Sequence, residues 1–165
     1  LSALNLEKTS LDSLLREVAS LNEGFANVRR VELHCDEQEA VVVACDPHKV
    51  SQAVMNVVQN AIEATGPGGR VRLALDAIDV AGRRFARVVV ADTGPGIAPD
   101  VLERLFQPGT TTKQKGSGMG LVIARAICQQ HGGRLELANG PRGGCVATLT
   151  FPATAGTGES VEGEP

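Results

Sequence analysis

Val88-Val89-Val90-Ala91-Asp92-Thr93-Gly94-Pro95-Gly96-Ile97 is the stretch that decides how this chain folds: an apolar run breaks on a carboxylate and then turns sharply. The run reads as a strand, so Asp92 sits at a strand end, where a buried carboxylate needs a partner. A plain strand-to-turn Asp would leave the Gly-Pro-Gly that follows unexplained. Gly94 and Gly96 let the backbone come close to whatever the carboxylate binds.

Outward from this strand, a partner strand is expected over 70–78, joined to 84–92 by a hairpin turn at Ala81-Gly82. Upstream, Asp46 and Pro47 read as the N-cap and first residue of a long helix. Its apolar stripe is Val50, Val54, Val57, Val58 and Ala61, at offsets of 4, 7, 8 and 11. Thr65-Gly66-Pro67-Gly68-Gly69 ends it. Residues 10–27 carry Leu11, Leu14, Leu15, Val18 and Leu21 at helical spacing, and 31–35 and 40–45 read as short strands around an acidic turn. Downstream, a short helix is expected from Pro99 to Leu105, a second major helix over 118–131, and strands over 134–138 and 145–151. Thr93 to Gly116 is poor in periodicity and rich in Gly, Pro and Thr, as segments that are either functional lids or disordered are. From Pro152 onward Gly, Glu, Thr and Ser dominate, which predicts a disordered tail. The expected architecture is an α/β (α+β) two-layer sandwich: a mixed, mostly antiparallel sheet with three main helices on one face.

Two further features point to chemistry. Gly116-Ser117-Gly118-Met119-Gly120-Leu121 opens the second major helix, and glycines at a helix N-terminus expose amides and the positive dipole end, a cradle for phosphate. No Gly-Lys-Ser/Thr is present, and no strand-turn-helix unit precedes the cluster, which excludes the P-loop and dinucleotide-binding readings. Gln52, Asn56, Asn60 and Glu63 form a polar stripe on the long helix. Such a stripe is either a solvated face or a site; Asn is a mediocre helix former, and its amide oxygen can complete the octahedral shell of a Mg²⁺ otherwise held by phosphates and water. Lys113 and Lys115 are either solvated or add charge near a terminal phosphate. Together the carboxylate, the amide cradle and the metal-binding amides are the parts of an ATP site, with the exocyclic amine of adenine as the donor to Asp92.

Composition narrows the classes. With 165 residues, 42% hydrophobic and 21% charged, one domain with a real core is expected. A net charge of −3 argues against a nucleic-acid surface. No apolar run approaches the ~18 residues of a membrane span and no signal peptide opens the chain. The start at Leu1 suggests a piece of a longer protein. Cys35, Cys45, Cys128 and Cys145 lack CxxC spacing and lie beside apolar stretches, as buried thiols of the cytosol do. His34, His48 and His131 have no partner at metal-ligand spacing. Four Phe with no Trp or Tyr mean that a bound adenine lies between aliphatic side chains.

These motifs in this order resemble the catalytic ATP-binding domain of sensor histidine kinases: Asn56-x₃-Asn60-Ala61, Asp92-x-Gly94-x-Gly96-Ile97, Phe106 with Thr110-Thr111-Thr112-Lys113, and Gly116-x-Gly118-x-Gly120-Leu121. The resemblance covers about residues 30–152 and extends to a superfamily that includes gyrase B, the ninety-kilodalton heat-shock chaperones and MutL, whose Bergerat-type sandwich matches the element order. It implies that Asn60 coordinates Mg²⁺, Asn56 supports the phosphates and Asp92 receives the adenine amine. Gly94 and Gly96 would line the base, and Ile97, Leu121 and Val122 would add apolar walls. Thr112, Lys113, Gly116, Ser117, Gly118, Met119 and Gly120 would form the lid and its anchor, pinned by Phe106.

Three departures accompany the resemblance. Glu63 stands where many relatives have Lys or Arg, as in the nitrogen-regulator branch; Cys145 follows Gly144 where Thr or Ser is usual; and no histidine lies in a His-Glu-x-x-Asn-Pro context. The expected division is therefore residues 1–27 as a linker and first helix after a missing phosphoacceptor hairpin, 28–152 as the catalytic domain, and 153–165 as tail. The implied function is transfer of the ATP γ-phosphate to a histidine on a separate dimerisation domain, with a response-regulator receiver domain downstream and a homodimeric parent. The fragment is expected in the cytoplasm without membrane contact, whether or not the parent is anchored. A binding-only signalling module and a conformational ATPase are the alternatives. In the ATPases of the superfamily a Glu stands four residues before the metal-binding Asn; here that position is Asn56, whose amide cannot accept a proton from water.

Overall fold

The computed structural model describes residues 2–36, 39–106 and 119–153. Asp46 sets the frame: with extended φ and ψ of −90° and 103°, its carboxylate accepts the Lys49 amide and starts α3 (Pro47–Thr65). Val50, Ala53, Val54, Val57, Val58, Ala61 and Ile62 are buried along one face of this helix, as the stripe requires. Gly66, at φ +84°, stops it in a conformation that an L side chain resists.

β4 (Arg70–Val80) and β5 (Arg83–Asp92) form the expected hairpin, and Ala81 and Gly82 both take positive φ. Inward residues alternate with outward ones: Val71, Leu73 and Leu75 on β4, and Ala86, Val88 and Val90 on β5, are buried. β7 (Cys145–Pro152) pairs with β5, and β6 (Arg134–Asn139) pairs with β7, both antiparallel. β2 (Glu32–Cys35) adds in parallel to β4, which gives the sheet order β2-β4-β5-β7-β6. The mixed, mostly antiparallel sheet therefore stands as expected. Its inner face shares one core with α1 (Leu11–Leu21), α3 and α5 (Gly120–Gln130). A short α4 (Pro99–Arg104) also forms where it is expected.

Two local features depart from expectation. The helix expected over 10–27 is two helices, α1 and α2 (Glu23–Val28), broken at Asn22. Asn22 is 1% exposed; its Nδ2 donates to the Val18 carbonyl at 2.9 Å and contacts the Met55 sulfur at 3.2 Å, so the side chain competes with helix continuation. The two short strands beside the acidic turn both form, in different sheets, and β2 adds to β4. β3 (Val42–Cys45) pairs instead with β1 (Glu7–Ser10), a polar strand with no apolar alternation to announce it, in a separate two-stranded ribbon. Residues Leu11 and Leu15 of α1 are fully buried in the same core as α3. The expected lid beyond Phe106 and the tail beyond Ala153 lie outside the described residues.

α3 and α5 run antiparallel and are joined near both ends of α5. At one end His131 Nε2 accepts the Asp46 amide at 3.1 Å; at the other, Asn56 Nδ2 donates to the Gly120 carbonyl at 3.2 Å. No helix among the described residues is long and apolar enough to cross a membrane.

Candidate nucleotide-binding site

β5 ends at Asp92, and the half-buried carboxylate is held by its own turn and by the neighbouring strand. Oδ1 accepts the Gly94 amide at 2.9 Å and the Cys145 amide at 3.1 Å. Both bonds go to one oxygen, so Oδ2 is the oxygen left to accept from a ligand amine. Gly144 makes this possible: at φ +75°, a Cβ there would lie 1.9 Å from the Asp92 carbonyl oxygen. Thr93 is fixed as well, since its amide donates to the Arg70 carbonyl at 3.1 Å and its hydroxyl accepts the Arg70 amide at 3.0 Å.

The glycines of the turn are needed for contacts within the protein. A Cβ on Gly94 would come within 2.9 Å of the Ala64 carbonyl at the end of α3. Gly96, at φ +81°, would place one 2.8 Å from Asn139 Oδ1. α3 is thus a common wall. Asn56 meets the start of α5, and Ala64 meets the Asp92 turn. Exposed Asn60 lies midway, four residues from each, so all three share one helix face.

Asn56 is half-buried, and its partner fixes its orientation. The Gly120 carbonyl can only accept, so Nδ2 faces it and Oδ1 is left for a donor or a cation. Asn56 and Asn60 supply neutral hard oxygens, a donor set that suits Mg²⁺ once phosphates and water bring the remaining ligands and the charge. Among the described residues no group of three His, Cys, Asp or Glu could hold a metal by itself.

At the far side Phe106 is half-buried, with the Arg125 guanidinium 4.8 Å from its ring centroid, so the end of the α4 segment rests on α5. Half-exposed Met119 precedes α5, and Leu121 is partly buried against the core. Ile97 is half-buried, its backbone bonded to Asn139. Thr112, Lys113, Gly116, Ser117 and Gly118 lie outside the described residues. Cys145 takes part through its backbone. Burial and the Asp92 carboxylate push its thiol up to about 11, which keeps the sulfur neutral.

Two residues were missed in the sequence. Asn139-Gly140 after an alternating strand reads as a hairpin turn, with no sign that its side chain reaches residue 97. Arg125 reads as the solvated face of a helix.

The family model of histidine kinase-, DNA gyrase B- and HSP90-like ATPases matches residues 45–155. The chain belongs to this family. Among curated relatives, sporulation kinase D of Bacillus subtilis (strain 168) is 31% identical over 151 residues, which cover 90% of the chain and 29% of the relative. Sensor histidine kinase ZraS of Salmonella typhimurium is 32% identical over 153 residues, covering 92% and 32%. The sensory histidine kinase/phosphatase NtrB of Escherichia coli O157:H7 is 38% identical over 107 residues, covering 60% and 30%. The chain therefore spans about a third or less of the relatives it matches. Among solved structures, the nucleotide-free catalytic domain of histidine kinase ThkA superposes with a TM-score of 0.80 at 32% identity, covering 91% of the chain and 97% of that domain. Full-length ShkA in complex with AMPPNP gives 0.82 at 30% identity, covering 94% of the chain and 33% of that protein. The chain is an ATP-binding domain of the histidine kinase type, and its sheet and helices have the arrangement of those catalytic domains.

Proposed function

We propose that this domain binds ATP with Mg²⁺ along α3 and presents the γ-phosphate to a histidine on a separate dimerisation domain of a homodimeric parent. A response-regulator receiver domain would take the phosphoryl group onward. The observation that carries the reading is the single face of α3 on which Asn56, Asn60 and Ala64 follow one another. Ala64 abuts the turn of Asp92, and Asn56 abuts the first turn of α5. Adenine at Asp92 Oδ2 and phosphates at the start of α5 would place Asn60 beside the polyphosphate. The metal would neutralise phosphate charge there, while Asn60 holds it and Asn56 Oδ1 is kept in place by Gly120.

The chain's own chemistry favours transfer over hydrolysis. Position 56 carries an amide whose nitrogen already donates to Gly120, so it offers no base to activate water. Catalysis would rest on positioning and charge stabilisation. Thr112, Lys113, Gly116, Ser117, Gly118 and Met119 would cover the phosphates, with Phe106 and Leu121 at the base of that cover. The proposed compartment is the cytoplasm, which supplies ATP and keeps thiols reduced.

The test is labelled ATP given to this chain alone and together with candidate phosphoacceptor hairpin domains. Acid-labile phosphohistidine is expected only on the cognate hairpin, with slow phosphate release by the chain alone. Hydrolysis at the rate of dedicated ATPases would overturn the kinase reading.

A further inference from the structure

We infer that Asn139 is a positioning residue for base recognition: its carboxamide fixes the far end of the turn that starts at Asp92. The inference deepens the nucleotide-site reading and rests on it.

Asn139 is the last residue of β6, and Ile97 lies 42 positions away in the chain. The two exchange a reciprocal pair of hydrogen bonds. Asn139 Oδ1 accepts the Ile97 amide at 2.7 Å, and Nδ2 donates to the Ile97 carbonyl at 2.8 Å. A residue in an antiparallel ladder makes the same exchange with its partner, so the side chain stands in for a strand that is missing beside Ile97. A carboxamide is suited to this, because it carries a donor and an acceptor side by side.

The turn is consequently pinned twice, and both pins come from the β6–β7 hairpin. Asn139 and Cys145 face each other in the strand register. Cys145 holds Asp92 through its amide, and Asn139 holds Ile97 through its side chain. Between the pins, Gly96 is pressed onto the hairpin: a Cβ there would meet Asn139 Oδ1 at 2.8 Å and the Gly144 carbonyl at 3.3 Å. Without the carboxamide, Ile97 would bond to water and the turn would be tied on the Asp92 side alone. A site that must order its own turn loses affinity by the cost of that ordering. Asn139 need not touch the base for this to hold.

The experiment uses the 165-residue chain, with Mg²⁺·ATP titrated calorimetrically into wild type, Asn139→Ala, Asn139→Asp, Asp92→Asn and the double variant Asp92→Asn/Asn139→Ala. Asn139→Ala is expected to weaken ATP about tenfold, the scale of losing two modest hydrogen bonds. The loss should shrink to within about twofold in the Asp92→Asn background, because the turn matters only where it presents the base partner. Asn139→Asp keeps the acceptor for the Ile97 amide but turns a second oxygen toward the Ile97 carbonyl where Nδ2 had donated, so it should weaken ATP at least as much as Ala does. If Asn139→Ala does not fold, Asn139→Asp carries the test by the same two readouts. A wild-type chain that bound no ATP would bring down the site reading itself. Wild-type binding with unchanged affinity in the Asn139 variants would overturn this inference alone. So would a loss equal in both Asp92 backgrounds, accompanied only by a lower Tm.

Discussion

His131 and Asp46 join opposite ends of two helices through one proton arrangement. Nδ1 of His131 faces the Ile127 carbonyl at 2.8 Å and can only donate to it; Nε2 is then an acceptor, and it takes the Asp46 amide at 3.1 Å. The ring also stands edge-on to Phe151, with centroids 5.7 Å apart. His131→Ala should strand a buried amide and open space beside Phe151. A loss of about 1–3 kcal/mol in urea unfolding is expected from the stranded amide alone. His131→Gln can restore an acceptor and should recover part of it.

Acid should weaken the same corner. The Asn5 amide holds the Asp46 carboxyl below its ordinary value of 3.8, with the Lys49 amide and the Lys49 charge adding to the effect against burial. A lowered folded value gives stability that is complete above the ordinary value and is lost as pH falls below 3.8 through the folded one. Asp46→Asn should therefore flatten the acid limb of a stability-versus-pH profile. An acid limb identical to wild type would remove Asp46 from this role.

Asp92→Asn separates structure from recognition. The variant retains an oxygen for the Gly94 and Cys145 amides, so the turn should persist and Tm should change little. The other ligand-facing atom becomes a donor, and ATP binding should weaken by about 1.5–3 kcal/mol. Calorimetry with thermal unfolding on the same samples reads both; unchanged affinity would take Asp92 out of the site.

Gly144 and Gly143 offer a matched pair. Both have positive φ, +75° and +98°, but only Gly144 lacks room, with the Asp92 carbonyl 1.9 Å from an added Cβ. Gly143→Ala should cost roughly 1 kcal/mol of backbone strain. Gly144→Ala should cost more than about 2 kcal/mol and should weaken ATP as well, since it parts β7 from Asp92. Equal losses in urea unfolding would contradict the contact.

On α3, the proposed role of Asn60 as a metal ligand predicts that Asn60→Ala abolishes transfer to a supplied phosphoacceptor domain. Asn56→Glu should weaken transfer by placing negative charge near the phosphates, and raise phosphate release slightly. A phosphohistidine assay run beside a phosphate-release assay reads both effects.

The parts of the fold that were legible in the sequence were those written in local chemistry. Asp46-Pro47 announced α3, its valine stripe announced the face it buries, and Ala81-Gly82 announced the hairpin. β1 was invisible because Glu7-Lys8-Thr9-Ser10 holds no apolar residue that could alternate, and its partner β3 supplies the buried face of the ribbon. Asn22 was read through because one buried amide does not disturb a leucine periodicity. In the candidate site, Asn56, Asp92, Gly94 and Gly96 stood out through spacing. Asn139 did not, because its partner is 42 positions away and is backbone, which carries no side-chain signature.

The joining of α5 to the first half of α3, near both ends of α5, has a mechanical consequence. Asn5 donates to the Asp46 carboxylate at 2.9 Å, and Lys49 and Gln130 both reach the Ser2 carbonyl, so residues 2–5 are fastened where α3 starts and α5 finishes. Asn56 and Gly120 mark the other end, about 15 Å away at 1.5 Å per helical residue. Two helices fastened in this way act as a strut. A load placed on residues 2–5 would run lengthwise along the paired helices to the carbonyl that orients Asn56, with no loop on that path to absorb it.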